Sequence, residues 1–351
     1  SNQQEKAVDL FLSMLQKQES ENQISQESQF EAELTLGNLF RSRGEVDRAL
    51  RIHQAIDVSP DYSIEQKLLA KQQLAKDFLA AGFYDRAENY YILLLDEPDF
   101  AVNSLTQLMT IYQKTKEWKK AINVSEKLLQ ISPESDKTPL AHYYCEYAQA
   151  VKNDDQKAFL DALNKALFHL PSCSRASMLL GDFHLENKQF RLAADYYEAV
   201  LSQNVDYIGE VLDKIKHCYL ELNDLSGYEL FLIKANQAKQ NPNVDLALTQ
   251  LIDEKDGKIA AQSKLYQQLR QFPNMLTFHR FIYYQINEAE EGSGKESLIL
   301  LHNMVGEQIK KSFKYRCSNC GYHSYRLSWY CPSCRHWETI KATHSIEPQS
   351  H

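Results

Sequence analysis

LGNLF at residues 36–40, followed by Gly44, Ala49 and Pro60, returns along the chain with a period of about 34 residues. The second copy carries Leu74, Ala75, Phe78, Gly82, Ala87, Tyr91 and Pro98, and the third carries Leu108, Tyr112, Ala121, Leu128 and Pro133. A later copy carries Leu180, Gly181, His184, Ala193, Tyr197 and Val200. Each copy reads as two helices, A then B. Small residues at Gly37, Ala75 and Gly181 let helix A approach its partner closely, and Ala49, Ala87, Ala121 and Ala193 do the same from helix B. The closing proline stops each pair.

This pattern is that of the tetratricopeptide repeat. Weaker copies fill the gaps: residues 140–171 keep Tyr147, Ala148 and Pro171 with a shortened turn, residues 207–240 keep Tyr219, and residues 242–309 hold two more degenerate pairs. Composition agrees, since 351 residues exceed one ordinary core and a chain with 11 Gly, 9 Pro and 43% hydrophobic residues favours helices. The expected fold class is all-α, a tetratricopeptide-repeat solenoid with a small C-terminal metal-binding module. Residues 1–309 are expected to form the array, about nine repeats with the first truncated. Residues 310–351 then form the module and a tail.

At the N-terminus, Ala7, Phe11, Met14 and Leu15 match a helix B that has no helix A before it. The expectation is a longer native protein with at least one further helix upstream, following a membrane anchor. The chain as it stands has no run of 18 apolar residues and no signal peptide, so it is expected to be soluble.

Near the other end, Cys317, Cys320, Cys331 and Cys334 form two C-x-x-C pairs. Four thiolates at this spacing suit one tetrahedral metal ion, each pair sitting on a tight turn that Gly321 and Pro332 favour. Disulfides are the alternative, but Cys145, Cys173 and Cys218 lie singly in apolar helical patterns and indicate a reducing compartment. Zinc and iron suit four thiolates almost equally. The CGY and CPxC turns look like the knuckles of rubredoxin, which raises iron, while their close spacing is nearer to a short zinc ribbon. Four protein ligands leave no open position for a water or a substrate, so metal-assisted hydrolysis is not expected.

Residues 308–344 carry seven Lys or Arg against one acid, Glu338, giving +6, and leave −14 on the remainder of a chain whose total is −8. Docking of the basic module onto the acidic array is the first expectation, ahead of solvated surface and of an anionic partner such as a phospholipid surface or nucleic acid. Tyr315, Tyr322, Tyr325, Trp329, Tyr330 and Trp337 interleave with these charges. They are expected to cover the metal and to pack on the last helices, with nucleic acid the weaker reading. His323 and His336 are surplus as ligands. Phosphate-loop, nucleophile-elbow, zinc-protease and dinucleotide fingerprints are all missing from the sequence, and the acid pairs at 154–155 and 290–291 fall in loops, so a non-enzyme is expected.

Function is then expected on surfaces. Helix A residues facing inward would line a groove for a peptide or a helix: Leu34, Asn38 and Arg41; Gln72, Lys76 and Leu79; Thr106, Thr110 and Gln113; Arg175, Met178 and Asp182. Each is equally readable as ordinary solvated surface.

The repeats together with CxxCGY and CPSC resemble the lipopolysaccharide assembly protein B (LapB) family over essentially the whole chain. SNQQEKAVDLFL (1–12), LTLGNLFRSRGEVDRA (34–49), NEAEEG (287–292), YRCSNCGY (315–322) and WYCPSCR (329–335) carry the resemblance. It implies a single inner-membrane helix before the first residue, with the rest on the cytoplasmic side. It also implies an adaptor that promotes degradation of the deacetylase LpxC by the membrane protease FtsH and organises lipopolysaccharide synthesis and transport proteins, with room for a homodimer. The family's metal ligands carry over onto Cys317, Cys320, Cys331 and Cys334. Two other classes compete: a rubredoxin-like electron carrier on a scaffold, and a zinc-ribbon nucleic acid binder.

Overall fold

The computed structural model describes residues 25–343, so the expected orphan helix around Phe11 lies outside the described residues. By compactness the chain divides into two units, residues 1–136 and 137–351. The first holds α1 (Gln26–Ser42), α2 (Val46–Val58), α3 (Ile64–Ala80), α4 (Tyr84–Leu93), α5 (Pro98–Thr115) and α6 (Trp118–Ile131). The second holds α7 (Thr138–Val151), α8 (Gln156–His169), α9 (Ser174–Glu186), α10 (Phe190–Gln203) and a 3₁₀ turn (Val205–Glu210). It continues with α11 (Leu212–Glu221), α12 (Leu225–Ala238), α13 (Pro242–Asp256), α14 (Lys258–Gln271), α15 (Met275–Glu288) and α16 (Ser293–Lys311). Three short strands follow: β1 (Tyr315–Cys317), β2 (His323–Ser324) and β3 (Ile340–Ala342). Among the described residues no helix is long and apolar enough to cross a membrane.

Five of the A-to-B turns share one hydrogen bond, and this bond defines the repeat. The amides of Glu45, Phe83, Glu117, Gln189 and Asp224 each donate to the carbonyl five residues back, on Phe40, Phe78, Tyr112, His184 and Tyr219. That is the six-to-one bond of a Schellman cap, which needs a left-handed residue just before the donor. Gly44 (φ 81°), Gly82 (φ 80°), Lys116 (φ 59°), Lys188 (φ 58°) and Asn223 (φ 55°) supply it. Only the first two are glycine, so the later turns hold a side chain in a conformation that costs about 1–2 kcal/mol. The pair α7–α8 lacks this device: Asp154 and Asp155 donate to Val151 instead, matching the shortened turn expected there.

Close approach of A and B has the expected cause. A Cβ on Gly181 would stand 2.5 Å from the Tyr197 ring, and one on Gly37 would stand 2.3 Å from the His53 ring. Both rings lie sixteen positions after their glycine, and both are fully buried. Ala75 and Tyr91 repeat the spacing and are likewise fully buried.

In the first repeat this buried position, His53, joins a polar network where the other two carry tyrosine. The Asp77 carboxylate, wholly inaccessible, accepts from Arg41 Nη1 at 2.8 Å and lies 2.5 Å from His53 Nδ1. Arg41 also donates to Asn38 Oδ1 at 2.7 Å and Gln73 Oε1 at 3.0 Å, while His53 Nε2 sits 3.4 Å from the Leu34 carbonyl. Three helices, α1, α2 and α3, are tied by one carboxylate.

Candidate metal centre and its seat on the helices

The strands form a three-stranded antiparallel sheet in the order β2-β1-β3, with Tyr315 opposite Ser324 and Ala342, and Cys317 opposite Ile340. A sheet this small has almost no apolar face of its own; its buried cluster is Cys317, Cys331 and Ile340, with Tyr315, Leu327 and Cys334 packed around it. Two of the thiols, those of Cys317 and Cys331, are part of the core, while Cys320 is exposed.

The two knuckles are built alike. Cys317 N–H donates to the Tyr322 carbonyl and Gly321 N–H returns to Cys317; Cys331 N–H donates to the His336 carbonyl and Arg335 N–H returns to Cys331. Each turn passes through a left-handed residue, Gly321 (φ 77°) in the first and Arg335 (φ 61°) in the second. The residue that answers Gly321 is therefore Arg335, while Pro332 sits earlier in the second turn.

All four Sγ atoms lie within 4.8 Å of one another, with Cys317 to Cys334 at 3.6 Å and Cys320 to Cys331 at 3.7 Å. A metal–sulfur bond of about 2.3 Å puts tetrahedron edges at about 3.8 Å, so the thiols fit a single four-coordinate ion. The Asn319 side chain and the His336 backbone amide hold the Cys334 thiol down at about 5, whereas burial pushes Cys331 up to about 11. The ion would add what these thiols lack, a common positive centre. His323 packs against Phe313 with tilted rings at 5.2 Å and His336 Nδ1 lies 2.7 Å from the Cys334 carbonyl, so neither belongs to the thiol cluster.

Docking, the first expectation for the basic segment, is what the second unit displays, though not on the last helices. Trp337 stacks on His142 of α7 at 4.6 Å and 12°, and meets Tyr143 edge-on at 5.9 Å. Trp329 lies 4.8 Å from Tyr207 in the 3₁₀ turn, with the Arg175 guanidinium 5.9 Å over its ring. The tryptophans expected against the final helices thus sit on α7, α9 and the 3₁₀ turn, while Tyr325, whose hydroxyl reaches the Lys311 carbonyl at 3.4 Å, touches α16. The tryptophans go where large buried rings are available to stack on, and α16 offers one buried residue, Val305.

Polar contacts fix the register of this seam. Glu338, the lone acid in the basic segment, places Oε1 3.0 Å from His142 Nε2, and its carbonyl accepts from Tyr207 Oη at 3.1 Å. Lys341 pairs with Asp206 at 2.5 Å, and Tyr315 Oη donates to Glu210 at 2.8 Å. Asp206 is shielded enough that burial alone would raise its carboxyl, but Lys239 and Lys341 hold it below the usual range. His142 Nε2, the Cys173 thiol and the Glu338 carboxylate also lie within 4.8 Å of one another. Arg175 Nη1 stands 3.5 Å from His142 Nδ1, which makes Nδ1 the acceptor and Nε2–H the donor to Glu338. The cluster is complete as a hydrogen-bonded seam. Cys145 and Cys173, single in the sequence, come within 4.0 Å in the same region, both fully buried.

Burial pushes the His142 imidazole below its ordinary value, against the opposing pull of Glu338. A depressed histidine favours the folded form above the unfolded value of about 6.5 and loses that contribution as pH falls below it. Module docking is therefore expected to weaken between pH 7 and 5, by at most about 1.4 kcal/mol per pH unit. Tryptophan emission during urea titration would follow it, and a His142→Gln variant should flatten the slope; an equal slope in that variant would place the titration elsewhere.

The groove candidates are distributed unevenly. Asn38 and Arg41 belong to the Asp77 network, and Arg175 is buried and donates to Glu146 at 2.8 Å and Gln149 at 2.7 Å. Asp182 accepts from Tyr197 Oη and Lys214 Nζ, both at 2.6 Å, and Met178 packs against the cluster that includes Tyr207 and Trp329. On α3, Gln72 donates to Asn103 at 3.3 Å and Lys76 approaches Gln72 at 3.5 Å. Thr106 and Thr110 bond carbonyls of their own helix α5, which also carries Gln113. The helix-side seam residues His142 and Tyr207 were not singled out by the sequence, which had assigned Trp337 to packing on the last helices; the available signal for the seam was Glu338, a single acid in a segment otherwise basic.

A helical-repeat protein with a four-cysteine knuckle locked onto its helices is the class that this fold and site define. Residues 315–342 match the rubredoxin metal-binding domain of the LapB zinc-ribbon family. Over 347 residues the chain is 61% identical to lipopolysaccharide assembly protein B of Haemophilus influenzae, covering 99% of this chain and 88% of that one. To the Escherichia coli K12 protein of the same name it is 42% identical over 348 residues, covering 99% and 87%. Among solved structures, a tetratricopeptide repeat protein from Parabacteroides merdae aligns with a TM-score of 0.36 at 13% identity, over 78% of this chain and 98% of that one. The MamA protein aligns with a TM-score of 0.34 at 19% identity, over 50% and 93%. The chain belongs to the lipopolysaccharide assembly protein B family.

Proposed function

We propose that this chain is the cytoplasmic part of an inner-membrane adaptor that lowers lipopolysaccharide synthesis by bringing the deacetylase LpxC to the membrane protease FtsH. The observation that carries this reading is the seam, in which Trp329, Trp337 and Glu338 of the module are held by Tyr207, His142 and Arg175 of the helices. The relatives are lipopolysaccharide assembly proteins by name, which supports the pathway; FtsH and LpxC follow from the family resemblance. A closed shell of four thiolates around one zinc or iron ion supplies rigidity and leaves no coordination position for a substrate. Rigidity is what an adaptor needs, because two partners must be held in one relative geometry.

In this reading residues 1–309 form the repeat array and 310–351 the module and tail. Gln72, Lys76, Thr106, Thr110 and Gln113 offer polar contacts to a partner peptide, while Arg175 acts by holding the module. The test is made in cells carrying the full-length protein with Trp337→Ala and Glu338→Ala in place of the native copy. LpxC half-life, followed after protein synthesis is blocked, is expected to lengthen several-fold while FtsH still degrades an unrelated substrate. An unchanged half-life in cells that hold normal amounts of the variant would overturn the adaptor reading.

A further inference from the structure

We infer that the cavity where α16 runs into the sheet of the module binds a small amphiphilic anion, an apolar body carrying one carboxylate or phosphate. The inference does not depend on the adaptor reading. The cavity measures about 410 Å³, within the range of pockets that hold small molecules, roughly 300–1,000 Å³. Its wall is apolar along Met275, Leu276, Ile309 and Phe313. These come from the start of α15, the end of α16 and the link to β1, so the fold assembles the wall from three segments.

The polar groups around this wall select the sign of the ligand. Glu210 is the acid that lines the cavity, and its carboxylate already accepts from Tyr315 Oη at 2.8 Å. The Ser312 and Thr343 hydroxyls donate to the carbonyls of Gln308 and Phe313 at 2.8 and 3.0 Å. What remains are one cation and one side-chain amide, whose NH2 can donate. Among the described residues the Lys314 ammonium has no ion-pair partner, and the Asn243 side-chain amide has no hydrogen-bond partner. Lys310 in the last turn of α16 is paired with Glu307 at 3.0 Å, so the cavity's own cation is Lys314. An apolar wall with an uncommitted ammonium and amide, and an acid already engaged, matches an apolar tail with an anionic head.

Gly209 belongs to the same design. A Cβ there would stand 3.2 Å from Asn243 Nδ2, so a side chain at 209 would press on the amide that faces the cavity. Apolar chain and head would thus meet different walls, and charge alone would not suffice for binding. A neutral head on the same chain should bind at least tenfold more weakly.

The experiment is calorimetric titration of the purified chain, metal site intact, with decyl phosphate below its micelle concentration, and with decyl maltoside as the neutral counterpart. One molecule per chain is expected for the phosphate. Lys314→Glu should weaken it at least tenfold and Lys314→Arg should restore it, while Leu276→Trp should abolish binding by filling the wall. Circular dichroism and melting of each variant would show that the fold survives. Flotation with vesicles of phosphatidylglycerol or phosphatidylcholine separates the sources: capture by the anionic vesicles that Lys314→Glu removes marks a membrane lipid, and binding of the free amphiphile alone marks a soluble one. Equal affinity for phosphate and maltoside, or binding indifferent to both Lys314→Glu and Leu276→Trp in folded variants, would overturn the site.

Discussion

With Cys317 and Cys331 both changed to serine, the purified protein is expected to contain no metal where the unmodified chain contains one ion, and the module is expected to leave its seat. These are the two fully buried thiols, one from each knuckle, so neither half can hold the ion alone. A structural four-thiolate site contributes on the order of 10–16 kcal/mol to the fold it closes. The module's remaining core, essentially Ile340 with Tyr315 and Leu327, cannot replace that, and its sheet has only eight residues in strands. Two of the three tryptophans, Trp329 and Trp337, would pass from ring contacts to solvent, giving a red shift in emission, and protease cleavage should appear after residue 311. Metal content and the visible spectrum of the unmodified protein, prepared without added metal, would identify the ion: colourless with one zinc, or red and bleached by reduction with iron. Loss of the metal with full protease resistance in the double variant would show that the module is held by the seam alone, and retention of one metal would show that Cys320 and Cys334 suffice to hold it.

Replacing Asp77 by alanine is expected to destabilise the first unit by about 3–5 kcal/mol, the usual cost of leaving a buried partner charge uncompensated. Arg41 and His53 both aim at that carboxylate, and His53 is enclosed completely. Natural domains have only about 5–15 kcal/mol in total, so a loss of this size should be plain in urea unfolding. The companion change Arg41→Ala, made alone, removes a side chain that is partly exposed and should cost less. A double-mutant cycle with a strong coupling between positions 41 and 77 would confirm that the pair acts as one unit; additive losses would show that Asp77 matters only for packing.

Both effects lie at points where sequence and structure inform each other differently. The repeat was legible because its turn chemistry is local: a left-handed residue followed by the six-to-one bond leaves Gly44 and Gly82 in the sequence, and helix pairing leaves Gly37 and Gly181. It faded where Lys116, Lys188 and Asn223 take the same conformation without being glycine. Such residues pay in strain and leave no sign in composition. The four cysteines were legible for a similar reason, since thiolate spacing is dictated by a tight turn and a fixed metal–sulfur distance.

Arg41 and Arg175 show what a one-dimensional pattern cannot carry. Repeat position made both candidates for the inward side of helix A. Their partners, Asp77 thirty-six residues away and Trp329 far beyond, turn them from open recognition residues into internal ones. By itself the sequence determined the helix pairs, many of their turns and the four cysteines that come together, because each depends on residues near one another in the chain. Only the tertiary structure decided where the module sits, which histidine receives Glu338 and which face closes around a cavity. Those outcomes depend on rings and charges separated by as many as 196 positions, brought together because a sheet too small to bury its own tryptophans must borrow the core of the helices.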